Sequence, residues 1–232
     1  MLNLEFGNAL DVAELLAGPD RQRAASTIIR RHYTRSVPSG KSHYLRFGDA
    51  LVVFSIPANL NIAPFILGYS GEVWELSRLW APDGHAPNLL TATIKHAIRS
   101  LRIVEPGIDA LVSYADPNAG HTGGVYRAAS WIFHGQSEES RGYVSPTGEI
   151  KPRRAFHSGR NGMTRADIEG MGYTQTRAPG KLRFVKPLTH RAKRAIHPAR
   201  REISIDSRSI SALGVCQRCH DMTLETAMES EQ

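Results

Sequence analysis

The chain has 232 residues, 41% of them hydrophobic, 22% charged and 7% aromatic, which is enough for one sizeable core, or for one core plus a tail. No run of eighteen apolar residues occurs, so a membrane-spanning helix is excluded and no membrane partner is expected. The formal net charge of +7 points instead to a polyanionic partner, and the two cysteines form no disulfide framework, which fits a reducing cytoplasm.

Met1 to Phe6 carries neither a basic n-region nor an apolar h-region, so no secretory signal is expected. Asp11 to Leu16 is a short helix candidate. Pro19 and Asp20 open a second helix, with Ala24 and Ile28 inward and Arg21, Arg23, Arg30 and Arg31 outward. Ser42 to Phe47 and Ala50 to Ile56 read as two strands joined at Gly48-Asp49. Asn59 to Gly68, with Pro64 inside it, reads as irregular. Val73 to Trp80 is the next strand, and strict alternation puts Trp74, Leu76, Arg78 and Trp80 on one face. Asn88 opens a helix whose stripe is Leu89, Leu90, Thr93, Ile94, Ala97, Ile98 and Leu101.

A buried strand, Asp109 to Asp116, stops at Asp116-Pro117, because proline cannot donate to a ladder and restricts the residue before it. A glycine-rich turn and a helix from about Thr122 to Phe133 follow. Gly142 to Ala155 forms a further hairpin around Pro146-Thr147-Gly148. Thr164 with Asp167 starts a short helix that Gly172 ends. Tyr173 to Thr176 and Leu182 to Val185 flank Ala178-Pro179-Gly180 as a terminal hairpin. The order predicts an α/β (α+β) fold with a mixed sheet and helices on its faces. One domain is expected over residues 1 to 190, followed by a basic, then disordered, tail over 191 to 232.

Ser113, Tyr114, Asp116, Asn118, His121 and Tyr126 crowd one strand-to-helix edge, where α/β proteins place chemistry. An Asx turn with a helix cap is the structural alternative for Asp116. His43 and Tyr44 are adjacent on a strand and should face opposite sides. Arg78 needs a partner; Glu75 or Asp83 would serve, or else an anionic or aromatic ligand. The turn Trp80 to His85 has a single glycine, Gly84, and a proline, which makes a poor nucleotide loop. From Arg177 to Arg201 the chain holds nine basic residues and no acid, including Lys181, Arg183, Lys193, Arg194, Arg200 and Arg201. This block reads as a phosphate-contacting arm or as a solvated linker. Cys216-Gln217-Arg218-Cys219-His220 spells a haem c attachment site, which would need export, and half of a zinc site with no second half, so an unstructured tail is expected there.

These strings together resemble the Mom family of bacteriophage DNA-modification proteins, from about His32 to Pro187. The likeness rests on Ser39 to Tyr44, Phe54 to Asn59, Val73 to Pro82, Ser113 to Asn118 with Gly120-His121 and Tyr126, and Arg154 to Gly159. The resemblance implies a GCN5-related N-acetyltransferase-like fold. It implies conversion of adenine in phage DNA to an N6-(carbamoylmethyl) derivative within the bacterial host, which shields the DNA from restriction.

The expected catalytic residues are then Asp116, Tyr126, His43 and Tyr44, with Arg78, Ser113, Asn118 and His121 binding substrate. The donor is open between acetyl-CoA and an aminoacyl-tRNA, because Arg78 to Gly84 departs from a glycine-rich coenzyme A turn. Iron on His43, Tyr44, Asp116 and Tyr126 is the alternative reading of this set. Expected partners are double-stranded DNA and, as an alternative, tRNA; a homodimer is left open. A non-catalytic DNA-binding or restriction-shielding protein, or an N-acetyltransferase acting on another substrate, is the competing reading.

Overall fold

The structure is a computed structural model describing residues 12–156 and 162–197. Its described residues divide into two compact units: 12–113, 125–133 and 184–197 form the first, and 114–124, 134–156 and 162–183 the second.

In the first unit, β1 (Glu14–Leu16), β2 (Ser42–Phe47), β3 (Ala50–Ser55) and β4 (Val73–Trp80) are antiparallel neighbours. β5 (Ala110–Ala115) then pairs parallel to β4. The parallel pair needs a crossover, which α3 (Leu89–Val104) supplies. The full sheet order is β1-β2-β3-β4-β5-β10-β6, with β6 at Ile132–Gln136 and β10 at Leu182–Pro187. The sheet is therefore mixed, as the element order predicts.

One face of β2 and β3 meets α1 (Gly18–Arg31), where Ala24 and Ile28 pack with Leu16, Tyr44, Leu51 and Val53. The other face carries Leu45, Val52 and Phe54, and α3 buries Ile94, Ala97 and Leu101. Each fully buried Leu, Ile, Val or Phe side chain among these contributes roughly 1.5–3 kcal/mol.

Several elements differ from the sequence reading. Residues 14–16 form a strand instead of a helix, because three residues gain more from the ladder with β2 than from one helical turn. Residues 62–67 form α2 (Ile62–Leu67) despite Pro64. That proline falls in the first turn, whose N–H groups have no intrahelical partner to lose. The helix expected to reach Phe133 stops early: α4 is only Gly124–Ala128, and Ser130, at φ +57, turns the chain into β6.

The alternation expected for β4 also fails. Val53 pairs with Arg78 but Phe54 pairs with Leu76, so Ser77 is an extra residue, a β-bulge. Trp74 stacks on His43, whereas Trp80 packs with the α1-side cluster. The four residues therefore divide between two faces.

In the second unit a three-stranded sheet has the order β8-β7-β9, with β7 at Ser140–Val144, β8 at Ile150–Pro152 and β9 at Thr174–Ala178. β7 and β8 form the expected hairpin. The terminal hairpin is corrected, because β9 pairs with β7 while β10 joins the larger sheet. The helix α5 (Arg165–Gly170) carries the expected capping box from Thr164 and Asp167. Ile168 packs with Tyr143 and Phe156 as the local core.

Gly180 is buried, and its carbonyl accepts a 2.7 Å hydrogen bond from Gln136 Nε2. A Cβ there would land on the Ser137 carbonyl, well inside contact distance. Gly180→Ala should therefore cost about 1–3 kcal/mol, read as a lowered midpoint in urea unfolding. An unchanged midpoint would show that this crossing is loose.

Candidate functional site

The residues singled out by the sequence fall into separate clusters. In the first unit, Ser113 near the end of β5 lies 2.8 Å from the Leu76 carbonyl and 2.7 Å from the Tyr126 hydroxyl. A serine hydroxyl has one proton and a carbonyl only accepts, so beside the neutral phenol Ser113 donates to Leu76 and accepts a hydrogen bond from Tyr126, and on ionisation its proton can turn to the phenolate. The β4–β5 ladder runs through Glu75 and Val112, and a side chain then takes the Leu76 carbonyl beside the bulge. Tyr126 is buried and packs on Trp131 and Phe184, with ring centroids 5.4 and 5.3 Å away. The Trp131 indole N–H is also buried, without a hydrogen-bond partner among the described residues. Such a donor costs energy unless a water or a bound molecule takes it.

His43 and Tyr44 do face opposite sides of β2. His43 Nε2 is 2.7 Å from Glu105 Oε1 and its ring stacks on Trp74 at 5.1 Å. Lys41 reaches the same carboxylate at 2.5 Å and lies over the same indole. The hydrogen bonds from Lys41 and His43 hold Glu105 below the ordinary carboxylate range. Tyr44 is buried on the other face, with the Arg21 guanidinium 5.1 Å over its ring. Burial raises its pKa, opposed by Arg21 and Arg78. Arg78 donates to the Ser36 carbonyl at 2.8 Å and to its hydroxyl at 3.1 Å. Neither Glu75 nor Asp83, the acids considered from the sequence, is its partner in these bonds.

In the second unit, Asp116 is held from several directions. Oδ1 accepts from the Asn118 backbone N–H and from its side-chain amide, both at 3.1 Å, and Oδ2 pairs with Lys181 at 3.0 Å. The Asx turn considered from the sequence is thus present, and it leaves the second carboxylate oxygen to Lys181. The His121 N–H donates to the Asp116 carbonyl. The His121 residue keeps an exposed surface, yet partial desolvation lowers its pKa, opposed by Asp116 and reinforced by Lys181. Arg183 donates to His134 Nδ1 and to the His134 carbonyl.

The basic block is therefore not a free arm over its described part. Phe184 and Val185 are buried in β10, and Lys186 donates to the carbonyls of Ala129 and Ser130. Arg191 lies 3.6 Å over the Tyr69 ring. Lys193 and Arg194 are exposed in the last turn of α6 (His190–Ala195). Arg200 and Arg201, the Cys216 to His220 motif and His157 to Gly159 lie outside the described residues.

The iron set does not assemble on β2, because adjacent strand residues cannot reach one ion from opposite faces. Among the described residues no three His, Cys, Asp or Glu side chains form a metal-ligand group. The loop between β4 and α3 has one glycine, Gly84 at φ +74, and two prolines, Pro82 and Pro87. It is not a glycine-rich cradle of the kind that wraps a pyrophosphate. Sequence reasoning missed Glu105, Ser36 and the pairing of Lys181 with Asp116. These partners are 62, 42 and 65 positions away from the residues they hold, and no local pattern marks them.

Burial pushes the Tyr126 phenol up to about 12 from an ordinary 10.0, with the Ser113 hydrogen bond opposing and Glu75 adding to the rise. A folded-state pKa above the unfolded value stabilises the fold fully below about pH 10. That stability is lost as pH rises toward about 12, and two units correspond to about 3 kcal/mol. Tyr126→Phe should flatten the decline in unfolding free energy over this alkaline range. A decline equal to that of the wild type would show that the phenol is not desolvated.

Comparison with known proteins places the chain in a family. Methylcarbamoylase mom of Escherichia phage Mu is 32% identical over 66 residues, which is 28% of this chain and 27% of that protein. The match thus spans about a quarter of that relative's length. Among solved structures, the NatC complex bound to Gag peptide and CoA aligns with a TM-score of 0.41 at 9% identity, over 77% of this chain and 98% of the other. An acetyltransferase of Bacillus subtilis in complex with CoA aligns with a TM-score of 0.39 at 9% identity, over 77% of this chain and 99% of the other. The Mom protein family matches over residues 15–204, and the chain belongs to that family.

Proposed function

We propose that this chain is an acyltransferase-like transferase that modifies the N6 amine of adenine in phage DNA, with an N6-carbamoylmethyl-type product that resists host restriction. The observation that carries this reading is the buried Tyr126 hydroxyl, held by Ser113 and kept protonated well above neutral pH. Membership of the Mom family and the local match to a phage methylcarbamoylase support it.

The chemistry asks for two roles. Adenine N6 is a poor nucleophile, since its lone pair is delocalised into the ring, and the base must leave the stack to be reached. A carboxylate must accept the N6 proton as the new C–N bond forms, and Asp116 is assigned that role. Asn118 and Lys181 fix its oxygens in place. A donor must supply a proton to the leaving group as its bond to the transferred carbon breaks. Tyr126, a phenol that burial keeps protonated, is assigned that role. His43 and Tyr44 remain proposed catalytic residues, and Arg78, Ser113, Asn118 and His121 proposed substrate contacts. The donor is an activated aminoacyl compound of the glycyl type: N6 first bonds its carbonyl carbon as the leaving group departs, and the isomeric carbamoylmethyl group, bonded through the methylene, then forms by rearrangement of the same atoms.

Two tests follow from these assignments. Nucleosides from DNA co-expressed with the chain should include a heavier deoxyadenosine by mass spectrometry. Asp116→Ala and Tyr126→Phe should each lower its yield by about 10²-fold while the chain stays folded and keeps its DNA affinity. Unmodified deoxyadenosine with abundant wild-type protein would overturn this reading in favour of a DNA-binding shield or an N-acetyltransferase acting on another substrate.

The second test concerns the basic residues of α6 and the segment beyond it. Replacing Lys193, Arg194, Arg200 and Arg201 with Gln should flatten the slope of log K against log salt for duplex DNA by up to about 4, alike for all sequences. An unchanged slope would mark these residues as a solvated linker.

A further inference from the structure

The outer face of α1 in the first unit carries a surface that neither the catalytic roles nor the basic C-terminal block accounts for. Pro19, Gln22, Arg23, Ser26, Thr27 and Arg30 recur at three- and four-residue steps, so they form one stripe. They line an open depression of about 480 Å³. A second depression of about 480 Å³ is lined by Arg30, Arg31, Arg35, Trp80, Pro82 and Asp83. Arg30 borders both, so the two form one trough.

The charges in this trough are uneven. Arg23 is paired with Asp20 at 2.5 Å, a contact exposed on both sides. Arg30, Arg31 and Arg35 make no ion pair among the described residues. Arg35, at φ +49, donates to the Arg30 carbonyl, which ties its guanidinium to the end of the helix. Asp83 is the acid facing them. Trp80 is half-buried against the Leu16, Ile28 and Tyr44 cluster and presents its remaining surface to the trough.

Shape decides which anion fits. A compact phosphate ligand needs donors that converge on one point. Here Arg23 and Arg30 lie seven residues apart on one helix face, roughly 10 Å at 1.5 Å per residue, and Arg31 and Arg35 widen the cationic surface beside Arg30. The stretch from Arg23 to Arg30 matches roughly three nucleotide steps of 3.4 Å along one strand of a duplex. Arginine forks suit phosphate oxygens, and unpaired ones keep their full attraction for them.

We infer that this trough docks the phosphodiester backbone of duplex DNA. The inference rests on the reading of the chain as a DNA-modifying transferase and gives the duplex a place on it, independent of Lys193, Arg194, Arg200 and Arg201. The test is fluorescence anisotropy of a labelled duplex with the full chain, titrated at several salt concentrations. Arg30→Gln with Arg31→Gln changes only exposed positions on the helix. It should weaken binding to every sequence alike and make the salt slope shallower by roughly 2. Asp83→Lys, a change in an exposed loop, should act in the opposite sense, tightening binding and steepening the slope by roughly 1.

If the wild type binds and both variants match its affinity and slope, the trough is not the docking surface, while the DNA reading stands. If the wild type binds no duplex at any salt concentration, the DNA reading fails and the trough goes with it. Loss of slope in the Arg30/Arg31 variant without any modified adenine in cells would keep the docking surface and remove the catalytic roles.

Discussion

One extra residue in β4, Ser77, decides what the strand beyond it faces. Before the bulge, Trp74 and Leu76 share the side on which His43 stacks on the indole. After it, Arg78 and Trp80 lie on the side of α1. Had alternation continued, the Arg78 guanidinium would have shared a face with Trp74 and the α3 contacts, where a cation must find a partner or be lost to desolvation. Instead it reaches Ser36. The bulge adjoins the Leu76 carbonyl, which is taken by the Ser113 hydroxyl, and Ser113 in turn holds Tyr126. A break in one ladder thus aims a cation, an indole and a phenol.

The two clusters of polar residues are built on different physics. Tyr126 is governed by desolvation: its ring sits among Trp131 and Phe184, and its single hydrogen bond offsets only part of the cost of ionising it there. Asp116 is governed by hydrogen bonding and charge, with donors from Asn118 and an ammonium from Lys181. An apolar surround favours the neutral phenol of Tyr126, whereas Asp116 is fixed in position by partners on both of its oxygens. His43 shows a third arrangement, stacked and paired to Glu105, in which the ring is fixed on both its face and its edge.

Charge patterning along the chain and charge placement in space give different pictures. The run from Arg177 to Arg201 is the densest basic block in the sequence, yet Lys181, Arg183, Lys186 and Arg191 meet partners within the fold. The arginines of α1 are fewer and less conspicuous, and the fold leaves Arg30 and Arg31 on the surface. A cation spent on a carboxylate or a carbonyl is largely unavailable to a phosphate, so counts of Lys and Arg overstate one region and understate the other.

Local rules made much of the frame legible. The stripe of α3, the turn at Gly48, the capping box at Thr164 and the stop at Asp116-Pro117 all follow from neighbours within a few positions. The opposite facing of His43 and Tyr44 was equally plain, since a strand alternates wherever it is regular. What the sequence could not supply came from pairings with distant segments. Residues 14–16 became a strand because β2 was there to bond them, β10 left β9 for the larger sheet, and Ser77 was pushed out of register by β3. Glu105, Ser36 and Lys181 became partners of His43, Arg78 and Asp116 for the same reason. The sequence by itself determined which segments are helix, strand and turn wherever periodicity and punctuation agree, and which residue types were on hand for chemistry. Only the tertiary structure decided which of them meet, because the energy of a hydrogen bond or an ion pair depends on distance in space and leaves no mark on spacing along the chain.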